Sequence, residues 1–265
     1  MDRVVSYIGN KYGVRDVHNL LLPLLELFND HCRRYQIDYS LAYGTLLGCV
    51  RNQGFIPWDD DVDVVMTHSN FEKFLNTLGK KETELSKTCI VECPRFLYKL
   101  KWSNTDNIPV FVDVFIADNV PNNFIAEKTK YYLVLLVKQL IIGRLKTIKK
   151  RTTMMYIRTV LSFIMSFPVS VDRLKTIYFK LCAWGNSHTT NRICSYSTTM
   201  AGYGRYHPSG ILDNYHSHIF EDIQLQIMAG YDIYLKKEYG NNYMIPPTEE
   251  NRCPSHTFIL NNRSK

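Results

Sequence analysis

Between Lys128 and Val171 the chain has no aspartate and no glutamate. Nine lysines and arginines, at 128, 130, 138, 144, 146, 149, 150, 151 and 158, fall in that stretch. The formal net charge of the 265 residues is +7, so without these nine the chain stands at −2. The basic character belongs to one segment, not to the surface as a whole. Other absences narrow the field. No apolar run opens "MDRVVSYIGNKYGVRD", so no secretory signal is expected. The longest uncharged apolar-rich run, Thr159 to Val171, is too short to span a bilayer and contains Pro168. Seven cysteines include no CxxC pair, which predicts free thiols and a cytoplasmic location. Cys253 and His256 lack a second pair at zinc spacing and read as structural. Repeats and low-complexity tracts are missing too.

What is present is an ordinary globular composition, 45% hydrophobic and 22% charged, with chain enough for one domain or two. Asp16 to Tyr35 has helical spacing, with Pro23 in its first turn or at a kink. Tyr39–Tyr43 reads as a strand, "TLLGCVRNQ" as a short helix closed by Gly54, and "DVDVVM" as a second strand. "NFEKFLNTL" follows as a helix capped by Ser69 or Asn70. Residues 95–102 and 110–116 read as two more strands, and Phe220 to Tyr239 as a late helix. Strands first and helices later predict a mixed α/β core over 1–125, with a helical addition over 126–265. In the basic segment, aliphatic residues interleave with the cations. That pattern suits a core helix pair with a solvated exterior, or contact of 128–167 with an anionic membrane surface or acceptor. No recognition motif accompanies the charge, so nucleic acid is not expected.

The oddest stretch is "YGTLLGCVRNQGFIPWDDDVDVVM", Tyr43 to Met66. Asp59, Asp60, Asp61 and Asp63 crowd the entrance of an apolar strand, where aspartate is disfavoured. Side chains alternate along a strand, so Asp61 and Asp63 share a face, and Asp59 shares it too. Two carboxylates that close repel by about 4 kcal/mol at an effective dielectric near 20. A hard divalent cation, Mg2+ or Mn2+, removes the repulsion, with substrate phosphates and water as its other ligands. Asp113 interrupts another apolar strand and is a candidate ligand for a second metal or a base for an attacking hydroxyl. Gly44 and Thr45 offer a close backbone approach, a hydroxyl and the N–H groups of a helix start, as a phosphate requires. Arg51 is a candidate partner for a diphosphate, or a cation complementing a helix C-terminus. Lys99 and Lys101 share a strand face as candidate phosphate contacts.

The same stretch strongly resembles the signature of the LicD family of cholinephosphotransferases and fukutin-type proteins, within the nucleotidyltransferase superfamily. "FVDVFIADNVP", Phe111 to Pro121, and "EYGNNYMIPP", Glu238 to Pro247, match in the same order. The resemblance implies a nucleotidyltransferase-like core, a CDP-alcohol donor, a divalent cation and a glycan or glycolipid acceptor. It implies metal roles for Asp61 and Asp63, an outer role for Asp59, and a third carboxylate in Asp113. With a choline-linked donor, Tyr43, Trp58 and Trp102 are the nearest aromatics for a quaternary ammonium. Two positions depart from the family pattern: Tyr43 stands where a glycine is usual, and Ile116 where a proline is. The expected protein is a cytoplasmic phosphotransferase, with peripheral contact at the inner membrane face, that releases CMP. A nucleotidyltransferase releasing pyrophosphate and a non-catalytic binding protein on the same fold are the alternatives.

Overall fold

Helix α1 (Arg15–Tyr35) buries Val17, Leu21, Leu24, Leu25, Phe28 and Cys32 along one face, as the 3.6-residue spacing predicts. The computed structural model describes residues 14–103, 110–145, 169–198 and 203–254. Because α1 begins at Arg15, Pro23 sits well inside it and not in the first turn. Pro23 and Asn19 are both exposed, so water can take the Asn19 carbonyl that the proline leaves without an N–H partner. Gln36 closes the helix in the left-handed conformation, its N–H donating to Arg33 and Cys32 carbonyls.

The packing forms two units. One holds residues 1–92, 98–115 and 210–265, and the other 93–97 and 116–209. In the first, a mixed sheet takes the order β1 (Ser40–Leu41), β2 (Val62–Thr67), β5 (Val112–Asn119, up to Phe115 in this unit), β4 (Tyr98–Trp102), β3 (Cys89–Glu92). Helices α2 (Tyr43–Asn52), α3 (His68–Leu78) and α4 (Glu84–Thr88) complete this half. The expected strand at Tyr39–Tyr43 is cut short because α2 already starts at Tyr43. Nor does Gly54 close α2. Gln53 takes the left-handed turn at φ 57°, and the Glu221 carboxyl occupies the space that a Cβ on Gly54 would take. Helix α3 is capped by Thr67, whose hydroxyl accepts from the Asn70 N–H, rather than by Ser69 or Asn70.

The C-terminal stretch corrects the expected late helix. Tyr215–Phe220 (β8) and Ile223–Met228 (β9) form an antiparallel hairpin, and only Tyr231–Tyr239 (α7) is helical. The alternation Ile223, Leu225, Ile227 has period two, which overrides the helical reading. The hairpin docks on β1: Met228 N–H donates to Ser40 Oγ at 2.8 Å, and Tyr39 N–H to Gln226 Oε1 at 3.2 Å. Among the described residues after 125, strands thus stand beside the expected helices.

In the second unit, the end of β5 pairs with β6 (Arg192–Cys194), and β6 pairs with β7 (His207–Pro208). Helices α5 (Phe124–Arg144) and α6 (Val171–Ala183) pack through Val134, Val137 and Ile141 against Leu174, Tyr178 and Cys182. Two cations of the basic segment turn inward. Buried Lys130 donates to the carbonyls of Asn119 (2.7 Å) and Trp184 (2.8 Å), and Lys138 to those of Tyr196 (2.7 Å) and Thr198 (3.0 Å). A buried ammonium needs such acceptors, so neither lysine belongs to a solvated basic face. Residues 146–168, which include the segment's later cations, and His256 lie outside the described residues. No helix among the described residues is long and apolar enough to cross a membrane.

Candidate active site

Two hydrogen bonds fix the start of β2 against the start of α2. Asp63 N–H donates to Thr45 Oγ1 at 2.9 Å, and Ala42 N–H donates to the Asp63 carbonyl at 2.9 Å. The helix is capped by Ala42, which has no side-chain oxygen to offer the first N–H groups, so the positive end of α2 faces the acidic strand entrance. A Cβ on Gly44 would run into the Asp59 carboxylate, so a larger residue there would push that side chain aside. The expected phosphate cradle and the acidic cluster are thus neighbours, and the Thr45 hydroxyl joins them.

From the other side, His18 Nε2–H donates to the Asp59 carbonyl at 2.6 Å and its ring stacks on Phe55 at 4.1 Å. Burial lowers the His18 pKa to about 4, so the neutral ring is the form that anchors the loop. Glu221, at the tip of the β8–β9 hairpin, accepts from the Phe55 N–H at 2.9 Å. Nothing in the sequence around His18 or Glu221 marks them as supports, because both reach the loop across the fold.

Asp59, Asp61, Asp63 and Asp113 feel one another. Burial first, then repulsion from Asp61, holds the Asp59 and Asp63 carboxyls well above the usual carboxylate range, with Asp113 adding to the push on Asp63. Asp59 and Asp61 share a side-chain hydrogen bond. Lys99 Nζ lies 2.6 Å from Asp113 Oδ1 and 3.3 Å from the centroid of the Phe111 ring. Lys101, in contrast, turns to Glu92 at 2.9 Å. Among the described residues, no three His, Cys, Asp or Glu side chains are gathered as a ready metal-binding group. The donors nevertheless suit a hard divalent cation. They are carboxylate oxygens that a positive charge would relieve, and Mg2+ usually takes one or two from protein and the rest from phosphate and water.

Arg51 and Arg252 flank the Trp58 ring, with guanidinium carbons 5.9 and 5.2 Å from its centroid. Two cations already over that ring make it a poor seat for a quaternary ammonium and a better rim for an anion. Trp102 stands three residues beyond Lys99 on β4, roughly 10 Å along the strand. Tyr43 is the aromatic that the fold brings in. Its φ is 43°, the left-handed region that favours glycine, and its ring contacts Phe115 (centroids 4.8 Å) and Tyr234 (5.7 Å). Tyr239 also belongs here: after burial, Asp63 and Asp59 are the groups that raise its hydroxyl pKa most. It lies in "EYGNNYMIPP", a stretch legible as a motif but silent about which side chain reaches the carboxylates.

Residues 36–134 match the family model described as LicD/FKTN/FKRP, nucleotidyltransferase domain. The chain carries a LicD-family domain. Over 267 aligned residues it is 29% identical to the lipopolysaccharide cholinephosphotransferase LicD of Haemophilus influenzae, spanning 93% of this chain and 97% of that one. An uncharacterised protein of Rickettsia prowazekii is 30% identical over 114 residues, 42% of this chain and 34% of its own. A second, from Rickettsia typhi, is 29% identical over 128 residues. The LicD-family match includes Asp59, Asp61, Asp63, Asp113, Gly44 and Thr45 within its limits, and it supports a transferase.

Proposed function

We propose that this LicD-family protein transfers phosphocholine from CDP-choline to a hydroxyl of a cell-surface glycan or glycolipid, releasing CMP. The observation that carries the reading is the join of two parts: the carboxylates of Asp59, Asp61, Asp63 and Asp113, and the uncapped start of α2 at Gly44. The choice of choline rests on the similarity to the Haemophilus influenzae enzyme along nearly its whole length.

In this reading the diphosphate lies over the α2 N-terminus, where Gly44 permits close approach and backbone N–H groups meet its oxygens. Arg51 and Arg252, at the rim by Trp58, supply further positive charge. Asp61 and Asp63, with Asp59 outside them, would hold Mg2+ or Mn2+, which when bound neutralises the diphosphate and orients it. The acceptor oxygen bonds to the phosphorus bearing the choline ester, the bond from that phosphorus to the CMP oxygen breaks, and CMP leaves with the electron pair. Asp113 would take the hydroxyl proton. The ring of Tyr239, whose hydroxyl feels Asp63 and Asp59, and that of Tyr43, which Tyr239 also feels, suit the trimethylammonium end. We place the reaction on the cytoplasmic side of a membrane, where lipid-linked acceptors are available.

Phosphorus NMR of the protein with CDP-choline, CDP-ribitol, CDP-glycerol and the four nucleoside triphosphates tests this directly. CMP from CDP-choline, even by slow transfer to water, is the expected result. Pyrophosphate from a triphosphate would assign nucleotidyl transfer instead, and binding without product in the presence of a glycan acceptor would leave a non-catalytic protein.

A further inference from the structure

Helix α5 is apolar on nearly every side, yet among the described residues only one side is covered. Its inward face, Val134, Val137 and Ile141, is buried on α6. On the opposite face Ile125, Tyr132 and Leu136 are 73%, 58% and 47% exposed, at the i, i+7, i+11 spacing of one helical stripe. Leu133 and Leu135 flank this stripe, both exposed, and Phe124 is exposed at its start. A run of this kind is far more apolar than a solvated helix face requires.

The charge around it selects the occupant. Within α5 the inward cations Lys130 and Lys138 are spent on carbonyls, whereas Lys128 lies beside the outward stripe over the Phe124 ring, 4.2 Å from its centroid. Arg144 ends the helix, and Lys146, Lys149, Lys150 and Arg151 follow in sequence, with no acid before Asp172. A second copy of the chain on this face would bring Lys128 of each copy toward the other. An anionic surface would meet them with opposite charge and the stripe with acyl chains. No described helix can cross a bilayer, so such a helix lies in the interface, not through it.

We infer that the outward face of α5 is a docking surface for an anionic lipid bilayer, with Ile125, Tyr132 and Leu136 entering the headgroup boundary. The inference differs from a basic helix face binding lipid by charge alone: the apolar stripe supplies the hold, and Lys128 with the cations that follow α5 in sequence the selectivity. It does not depend on the donor or the reaction.

The test is co-sedimentation of the full chain with vesicles of phosphatidylcholine alone and of phosphatidylcholine mixed equally with phosphatidylglycerol. The wild type is expected on the anionic vesicles, with binding that weakens as salt rises. Ile125→Glu combined with Leu136→Glu should lower the partition coefficient at least about tenfold, because two apolar anchors are lost. Ile125→Ser with Leu136→Ser, a milder pair, should also weaken binding while leaving the melting temperature unchanged. Failure of the wild type to bind either vesicle, or undiminished binding by both double variants, would overturn the inference. So would a lowered melting temperature in the serine pair, which would show the stripe packed within the chain, or a concentration-dependent dimer that the glutamate pair dissolves.

Discussion

Lys99 and Asp113 face each other in the β4–β5 register, and their side chains meet at 2.6 Å. From sequence, one is a candidate phosphate contact and the other a candidate third carboxylate; the sheet makes them a pair. The ammonium offsets negative charge that Asp63 and Asp113 would otherwise hold against each other. Lys99→Met should therefore destabilise the protein by about 1–3 kcal/mol in a metal-free buffer. If a divalent cation reaches these carboxylates, magnesium should raise the melting temperature of the variant more than that of the wild type. An equal shift in both proteins would place the cation elsewhere.

Asp63 is buried beside Asp61, Asp113 and Asp59, so its charge costs more than its volume contributes. Asp61→Asn and Asp63→Asn keep the shape and remove one charge each. Both variants should lose at least about a hundredfold in CMP release from CDP-choline. Their melting temperatures without metal should hold or rise. Full turnover by either one would end the assignment of these residues to the cation.

Gly44 faces the Asp59 carboxylate with no room for a methyl group. In Gly44→Ala the Asp59 carboxylate must swing aside or the acidic loop shift, at a cost of about 1–3 kcal/mol where the carboxylate is held in place. Donor binding should weaken severalfold along with it, read as a higher KM for CDP-choline. Unchanged stability and KM would mean that Asp59 swings away freely and has no fixed place in the site.

His31, buried between Thr77 (Nε2, 3.0 Å) and Thr83 (Nδ1, 2.7 Å), has its pKa lowered by burial to about 4. The unfolded chain binds a proton there near pH 6.5, and the folded one resists it until about pH 4. Stability should thus be full above pH 6.5 and fall as the pH drops from 6.5 to 4, by about 2 kcal/mol for this residue. His18, lowered in the same way, adds to the slope. Urea unfolding at pH 7 and pH 5 measures it, and His31→Gln should flatten the dependence while retaining hydrogen bonds to the threonines. An unaltered slope in that variant would show that His31 titrates alike in both states.

The acidic strand, the Gly-Thr helix start and the aspartate in the next apolar strand were legible in sequence, because each is a local pattern. Charge inside an apolar run, or a glycine at a strand–helix junction, has few uses besides chemistry. Alternation was equally legible in "IQLQIM", and taking that stretch as helix missed a period-two signal now seen as β9. Within the basic segment the count of cations was correct, but not their directions. Whether Lys130 points to water or to the Asn119 carbonyl depends on what packs beside α5, which no spacing encodes.

By itself, then, the sequence determined the mixed α/β class, the order of its motifs and the crowding of carboxylates at the start of β2. These follow from backbone periodicity and charge repulsion, both properties of neighbours along the chain. The tertiary structure alone decided which residues gather around the acidic strand entrance: Lys99 opposite Asp113, His18 and Glu221 bracing the acidic loop, and Tyr239 of α7 within reach of the charge of Asp63. Those partners stand from 14 to well over 100 residues away in the chain. They are brought together by burial of apolar faces, a force with no direction, so the chemistry they share can be read only once the packing has chosen who meets whom.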